Sequence, residues 1–246
     1  GTMAGDGRTV LAAGTMATIG SASAYKFLHR RLDVAGTLTF SNSTNYDLYI
    51  RDGGTLHIAS TGTLATSANG FIYLNESSNG TDNGSVVISA DSGGRIAVAD
   101  GTTLFLTADG AASNHLRGNF ALSGPGAVQF NSGLFNVDQA TARSGSGVLR
   151  LNGGTLATNA ATQIANFEMT GGTLDGTATA TLGQLLWQSG TMIGSGNTVL
   201  AGNGTINNAS AYKFLHRRLD VAGTLTFSNS TNYDLYIRDG GTLHIA

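Results

Sequence analysis

The sequence predicts an all-β chain wound as a parallel, right-handed β-helix or solenoid, with coils of about 18–20 residues. A β-sandwich or barrel is the alternative, since strands also recur at short intervals there. Three observations lead to the solenoid. The chain repeats itself at two length scales. Apolar residues alternate with small polar ones. The composition is poor in helix formers and rich in turn residues.

Composition sets the class. Of 246 residues, 36 are glycine, one is proline and 11% are charged. Glutamate occurs only at Glu76 and Glu168, and lysine only at Lys26 and Lys213. Surface helices draw heavily on Glu and Lys, so a chain nearly without them is built of strands and turns. The net charge of −2 lacks the basic face that nucleic acid requires. There is no cysteine, which removes disulfides and thiolate metal sites from consideration. No run of eighteen apolar residues suggests a membrane span. The repeat pattern is already running at Gly1 and still running at Ala246, as expected of a piece of a longer parent. Missing targeting signals therefore carry no information.

The longer repeat is a 38-residue identity between 22–59 and 209–246. Upstream, Gly1-Thr-Met-Ala-Gly-Asp-Gly-Arg-Thr-Val-Leu-Ala matches Gly190-Thr-Met-Ile-Gly-Ser-Gly-Asn-Thr-Val-Leu-Ala in diverged form. A diverged flank argues for natural repetition rather than an engineered duplication. The chain thus reads as a single solenoid over 1–246, one module over 1–189 followed by the start of the next over 190–246.

The shorter repeat is a Gly-Thr-hydrophobic beat at Gly36, Gly54, Gly62, Gly154, Gly172, Gly190, Gly204, Gly223 and Gly241, with spacings of 18 at 36–54, 154–172, 172–190 and 223–241. Around it Leu38 and Phe40, Leu48 and Ile50, and Leu56 and Ile58 share one parity. Thr37, Thr39, Asp47, Tyr49, Arg51 and His57 take the other. Period two with β-branched partners is strand. Asp52-Gly-Gly, Asp100-Gly, Asp109-Gly, Gly153-Gly, Gly171-Gly, Asp175-Gly and Asp239-Gly-Gly supply residues for tight corners. A fixed beat favours stacked coils over hairpins. About a dozen coils at about 4.8 Å each give a rod on the order of 60 Å.

Two stretches resemble repeats of very large bacterial surface proteins: Trp187-Gln-Ser-Gly-Thr-Met-Ile-Gly-Ser-Gly-Asn-Thr-Val-Leu-Ala, and Lys213-Phe-Leu-His-Arg-Arg-Leu-Asp-Val-Ala-Gly-Thr-Leu. They are similar to segments of autotransporter passenger domains and filamentous-haemagglutinin-type adhesins. The resemblance implies a β-solenoid and a secreted, extracellular, cell-surface role as a structural or adhesive protein. It carries over no catalytic residue, and no enzyme activity or cofactor is expected.

The most site-like cluster is His29, Arg30, Arg31 and Asp33, duplicated at His216, Arg217, Arg218 and Asp220. Arginines beside an acid suit a carboxylate or sugar acid. The plainer expectation is a solvated corner of a coil. A second group, Asp47, Arg51, Asp52 and His57, recurs at Asp234, Arg238, Asp239 and His244. Paired carboxylates serve polysaccharide lyases and hydrolases, but Asp47 and Asp52 have opposite strand parity and Asp52 is a turn residue. Glu76, Asp82, Asp91, Arg95 and Asp100 read as turn residues, and Trp187 as core. Threonines at Thr37, Thr39, Thr177, Thr179 and Thr181 form no array that recurs coil after coil. The Gly171-Gly-Thr-Leu-Asp-Gly turn lacks the spaced glycines of a calcium ladder, so no metal is expected.

These readings predict a non-catalytic stalk or spacer. The expected partners are neighbouring repeats of the parent chain, a host or surface glycan or protein, and other copies stacked head to tail through open end coils. The alternatives are a carbohydrate-active β-helix enzyme and a glycan-binding module.

Overall fold

A computed structural model describes residues 1–20, 24–41, 47–75, 84–109, 114–207, 211–228 and 235–246. Its strands join into one continuous ladder, and every strand pairing among these residues is parallel. Partners lie a coil apart in sequence, as in Leu149↔Phe167 and Phe167↔Leu185. Hairpins would pair neighbouring strands antiparallel. This chain is therefore a parallel β-solenoid, and the sandwich and barrel are set aside.

The chain visits three faces in turn. The first face carries Thr2–Met3, Lys26–Leu28, Leu48–Ile50, Gly70–Leu74, Thr103–Ala108, Ala127–Ser132 and Val148–Leu151. It continues with the ends of Thr162–Met169 and Ala180–Trp187, then Asn203–Ile206 and Thr224–Phe227. Arg8–Leu11, Arg31–Val34 and Thr55–Ile58 begin the second face. Met16–Ile19, Thr37–Phe40 and Thr63–Thr66 begin the third. Followed to Thr242–Ile245, the path makes eleven coils among the described residues. At about 4.8 Å per coil the rod is about 50 Å long.

Alternation puts one parity inside. On the first face an inward column runs Leu48, Ile72, Leu106, Phe130, Leu151, Met169, Trp187, Ile206 and Phe227. All but the last are buried, and Phe227, in the final coil, is 48% exposed. Burying such a side chain stabilises by about 1.5–3 kcal/mol, largely offset by the entropy of ordering the chain. Trp187 is fully buried, and its Nε1–H donates to Ser189 O at 3.1 Å. The identity expected of it as core therefore holds.

The Gly-Thr-hydrophobic beat is a corner device. Except at Gly204, which lies within a strand against leucine side chains, glycine sits where the backbone passes over the coil below; threonine points out and the apolar residue points in. A Cβ at Gly62 would fall 1.9 Å from the Val34 carbonyl oxygen. Gly154, Gly172 and Gly190 take left-handed φ of 70°, 68° and 95° and precede Thr155, Thr173 and Thr191, which stack directly. Here the 18-residue spacing is the coil. Elsewhere it is not: Thr37 stacks on Thr63, not on Thr55, which belongs to another face. Coils nearer the N-terminus are longer, Gly70 stacking on Leu104 across a stretch that includes 76–83. The expected coil length thus describes the run from Leu149 to Ile206 and is exceeded on both sides of it.

The identical blocks occupy different faces. Lys26–Leu28, Arg31–Val34 and Thr37–Phe40 fall on the first, second and third face of the second coil. Lys213–Leu215 and Arg218–Val221 fall on the second and third faces of the tenth, and Thr224–Phe227 on the first face of the eleventh.

Candidate functional site

The cluster predicted from sequence divides between a corner and a flat face. His29 and Arg30 turn the chain between Lys26–Leu28 and Arg31–Val34, and His216 and Arg217 do so between Lys213–Leu215 and Arg218–Val221. The backbone N–H of His29 donates to Met3 O at 2.9 Å, and that of His216 to Met192 O at 2.8 Å. Each imidazole faces the turn aspartate of the next coil: His29 Nδ1 lies 2.8 Å from Asp52 Oδ2, and His216 Nδ1 lies 2.7 Å from Asp239 Oδ2. Asp52 and Asp239 take φ of 50° and 49°, the left-handed conformation expected before their glycines. Two groups separate in sequence thus meet across one coil step.

Arg30 and Arg217 reach the opposite way, to the coil below. Arg30 Nε donates to Gly7 O at 3.0 Å and Nη1 to Ala4 O at 3.1 Å. Arg217 Nε donates to Gly196 O at 2.9 Å and Nη1 to Ile193 O at 3.2 Å. Its Nη2 donates to Ala178 O at 3.1 Å and Asn197 O at 2.9 Å. Arg217 therefore spans two coils below its own. It is 2% exposed, which corrects the expectation of a solvated corner. Burial lowers its pKa, and Asp175 opposes that shift. The diverged flank explains the conserved geometry: a Cβ at Gly7 or Gly196 would fall 2.5 or 2.7 Å from the Nη2 of its arginine.

Arg31 and Asp33 stand on the flat second face, where Arg31 Nε donates to Asp33 Oδ1 at 2.6 Å. Arg8 reaches the same carboxylate from below at 3.4 Å. His57 stacks over Asp33 in register. It bonds Ser89 Oγ at 3.0 Å through Nδ1 and lies 3.4 Å from Asp91 through Nε2. In the second copy Arg218 Nε donates to both oxygens of Asp220 at 2.7 and 2.9 Å, and His244 Nδ1 lies 3.0 Å from Asp220. The Arg218 bond, with His244 behind it, holds the Asp220 carboxyl below the usual range. A shallow depression edged by Arg8, Arg31, Asp33, His57 and Asp91 carries both signs of charge.

The second group separates further. Asp47 is fully buried, not outward as its parity suggests, because it sits just before Leu48–Ile50 where the chain enters the strand. Its Oδ2 accepts from the Phe71 N–H at 2.7 Å. Its charge also supports that of Lys26, whose pKa burial lowers. Arg51 lies over the rings of Phe27 and Tyr49 at 5.0 and 5.3 Å. Arg238 lies likewise over Phe214 and Tyr236 at 5.3 and 5.2 Å. Asp234, Glu76 and Asp82 lie outside the described residues.

Two features escape the sequence. Aromatics of the outward parity stack along the rod axis, Tyr49 on Tyr73 at 4.6 Å and Phe71 on Phe105 at 4.7 Å, and the two tyrosines are themselves buried. Ring faces are taken up by neighbouring rings at the strand spacing, so the ladder offers no flat platform to a sugar. Arg143 is the other. It is 3% exposed, lies 4.0 Å over the Phe120 ring and donates through Nη1 to Gly118 O, while Nη2 is buried without a hydrogen-bond partner. Burial pushes its pKa down to about 9.

Among the described residues, Asp33, Asp52, Asp91, Asp138, Asp220 and Asp239 each already face a cation or histidine, and no group of three or more His, Asp or Glu is placed to hold a metal. Four of these pairs join one coil to the next, and Arg31–Asp33 and Arg218–Asp220 lie within single strands. No family model, no curated protein and no solved structure matches the chain, so its geometry is the ground for any functional reading.

Proposed function

We propose that the chain is a stiff, non-catalytic shaft: a stalk or spacer repeat of a secreted bacterial surface protein, displayed outside the cell. The observation that carries this reading is the use of the charged side chains. The residues most suited to bind a ligand are instead spent inside the fold: Arg31 and Arg218 pair with Asp33 and Asp220 of their own strands, His29 and His216 face Asp52 and Asp239 of the next coil, and Arg217 ties its coil to four carbonyls below. A solenoid suits a spacer because each coil depends only on its neighbours, so length grows without a new core. The natural partners are further repeats of the same chain, and a host glycan or protein at the tip of the shaft. Head-to-tail association between copies, strand edge on strand edge, belongs to the same proposal.

Single-molecule pulling on the folded chain tests the proposal. A shaft yields in a series of coil-sized steps of roughly 20 residues each. Depolymerisation of a pectin-like polysaccharide by the purified protein would refute it.

A further inference from the structure

We infer that Arg143 and Thr141 hold a small monovalent anion, of the charge and size of chloride, inside the rod. Both stand on Thr141–Ser144 of the third face, where alternation turns them inward and buries them while Ser144 is exposed. Phe120 lies directly below Arg143 and Ile164 directly above it. The guanidinium is therefore set in an apolar wall, 4.0 Å from the Phe120 ring. Gly118 precedes Phe120 by two residues, as Thr141 precedes Arg143. The Nη1 bond to Gly118 O thus turns the guanidinium toward the Thr141 end of its strand.

Two donors are left there unanswered. Among the described residues, Arg143 Nη2 and the Thr141 hydroxyl are buried without a hydrogen-bond partner. Thr162, directly above Thr141, differs in giving its hydroxyl to Ala160 O at 2.8 Å. The carboxylate closest in sequence, Asp138, is taken by Arg117 at 3.1 and 2.7 Å and faces His115 at 2.9 Å. No carboxylate charge opposes the burial of Arg143. A buried guanidinium without counter-charge and a buried hydroxyl without acceptor each cost stability. One anion answers both, since it accepts from each donor and cancels the charge. A water molecule accepts from both but leaves the charge. A doubly charged anion such as sulfate leaves a negative charge buried in its place. The chemistry that fits is a single negative charge, acceptor only, small enough to lie between side chains of adjacent coils.

The test is melting temperature at constant ionic strength as chloride replaces gluconate, an anion too large for the site. Each tenfold rise in chloride above half-saturation should raise Tm by about 3–5 °C. In gluconate Arg143→Met should melt above the unsubstituted chain. The gap should narrow as chloride rises, because the variant does not respond. Thr141→Val keeps the charge and the shape, and should raise the half-saturating chloride about tenfold. Crystals soaked in bromide then locate the ion, whose anomalous scattering should peak within hydrogen-bond reach of Arg143 Nη2 and Thr141 Oγ1. An equal chloride response in the unsubstituted chain and both variants overturns the inference, and so does a bromide-soaked crystal with no peak beside Arg143. If Arg143→Met does not fold, Thr141→Val and the bromide map decide the matter.

Discussion

Arg30 and Arg217 are the same residue of the same 38-residue block, and they should differ sharply in what they contribute. Arg217→Leu removes four hydrogen bonds to carbonyls in two coils from a side chain 2% exposed. Bonds to a charged donor are worth about 1.5–3 kcal/mol each. The burial that lowers the Arg217 pKa cancels part of this, and leucine keeps some of the packing. A net loss of about 3 kcal/mol remains, which in a chain of this size lowers Tm by about 6–12 °C. Arg30→Leu removes two bonds at a corner that water reaches, and should cost about 1 kcal/mol or less. Thermal unfolding followed by the fluorescence of Trp187, which sits in the coil below Arg217, compares the two. Hydrogen exchange then locates the change, since each coil leans only on its neighbours. Equal effects of the two substitutions, or no effect of Arg217→Leu, would refute the assignment of Arg217 as a staple between coils.

Arg143→Met should stabilise the fold by about 1–3 kcal/mol, because it removes a buried guanidinium that no carboxylate among the described residues balances; a loss in chemical denaturation would contradict this. The unsubstituted chain should also gain stability as pH rises above about 9 toward the higher value of an unfolded arginine. In that window the unfolded state holds the proton that the fold disfavours, and Arg143→Met should reduce the gain, leaving what Arg217 and Lys26 contribute. Gly62→Ala should cost about 3 kcal/mol or more, since its Cβ meets backbone at 1.9 Å, whereas Gly53→Ala, left-handed but open, should cost about 1–2 kcal/mol; equal melting temperatures would refute the corner packing. Asp138 is held below its ordinary pKa chiefly by its bonds from Arg117. The stability it contributes is present above the unfolded carboxylate value and lost as pH falls through the folded one. Asp138→Asn, at a partly exposed site, should therefore cost less than about 1 kcal/mol at neutral pH and nothing near pH 2, as read from melting curves.

Strand parity was legible wherever apolar residues alternate, because inward columns need nothing but alternation: Leu38, Phe40, Leu56 and Ile58 are all buried. The glycine beat was legible as corners but not as coil length. A tripeptide marks a corner without saying which of three faces follows, so 36–54 and 154–172 look alike although only the second spans a coil. Asp47 misled because parity holds within a strand and it stands just outside one. Arg217 misled because its ligands are carbonyls, which no side-chain pattern reveals. The aromatic ladder of Tyr49 with Tyr73 and Phe71 with Phe105 depends on register across coils of unequal length, and register is a property of the wound chain.

The corner glycines and three equivalent faces have a consequence for how such a gene can grow. A recombination event that copies a segment need not copy whole coils. It need only begin and end at matching strand boundaries, because the next strand finds a parallel edge on whichever face it arrives. In this chain the segment repeated intact is a run of strands with their glycine corners whose two copies start on different faces. Length and azimuth can then vary independently, and identical letters can face different directions, as the two blocks of this chain already do.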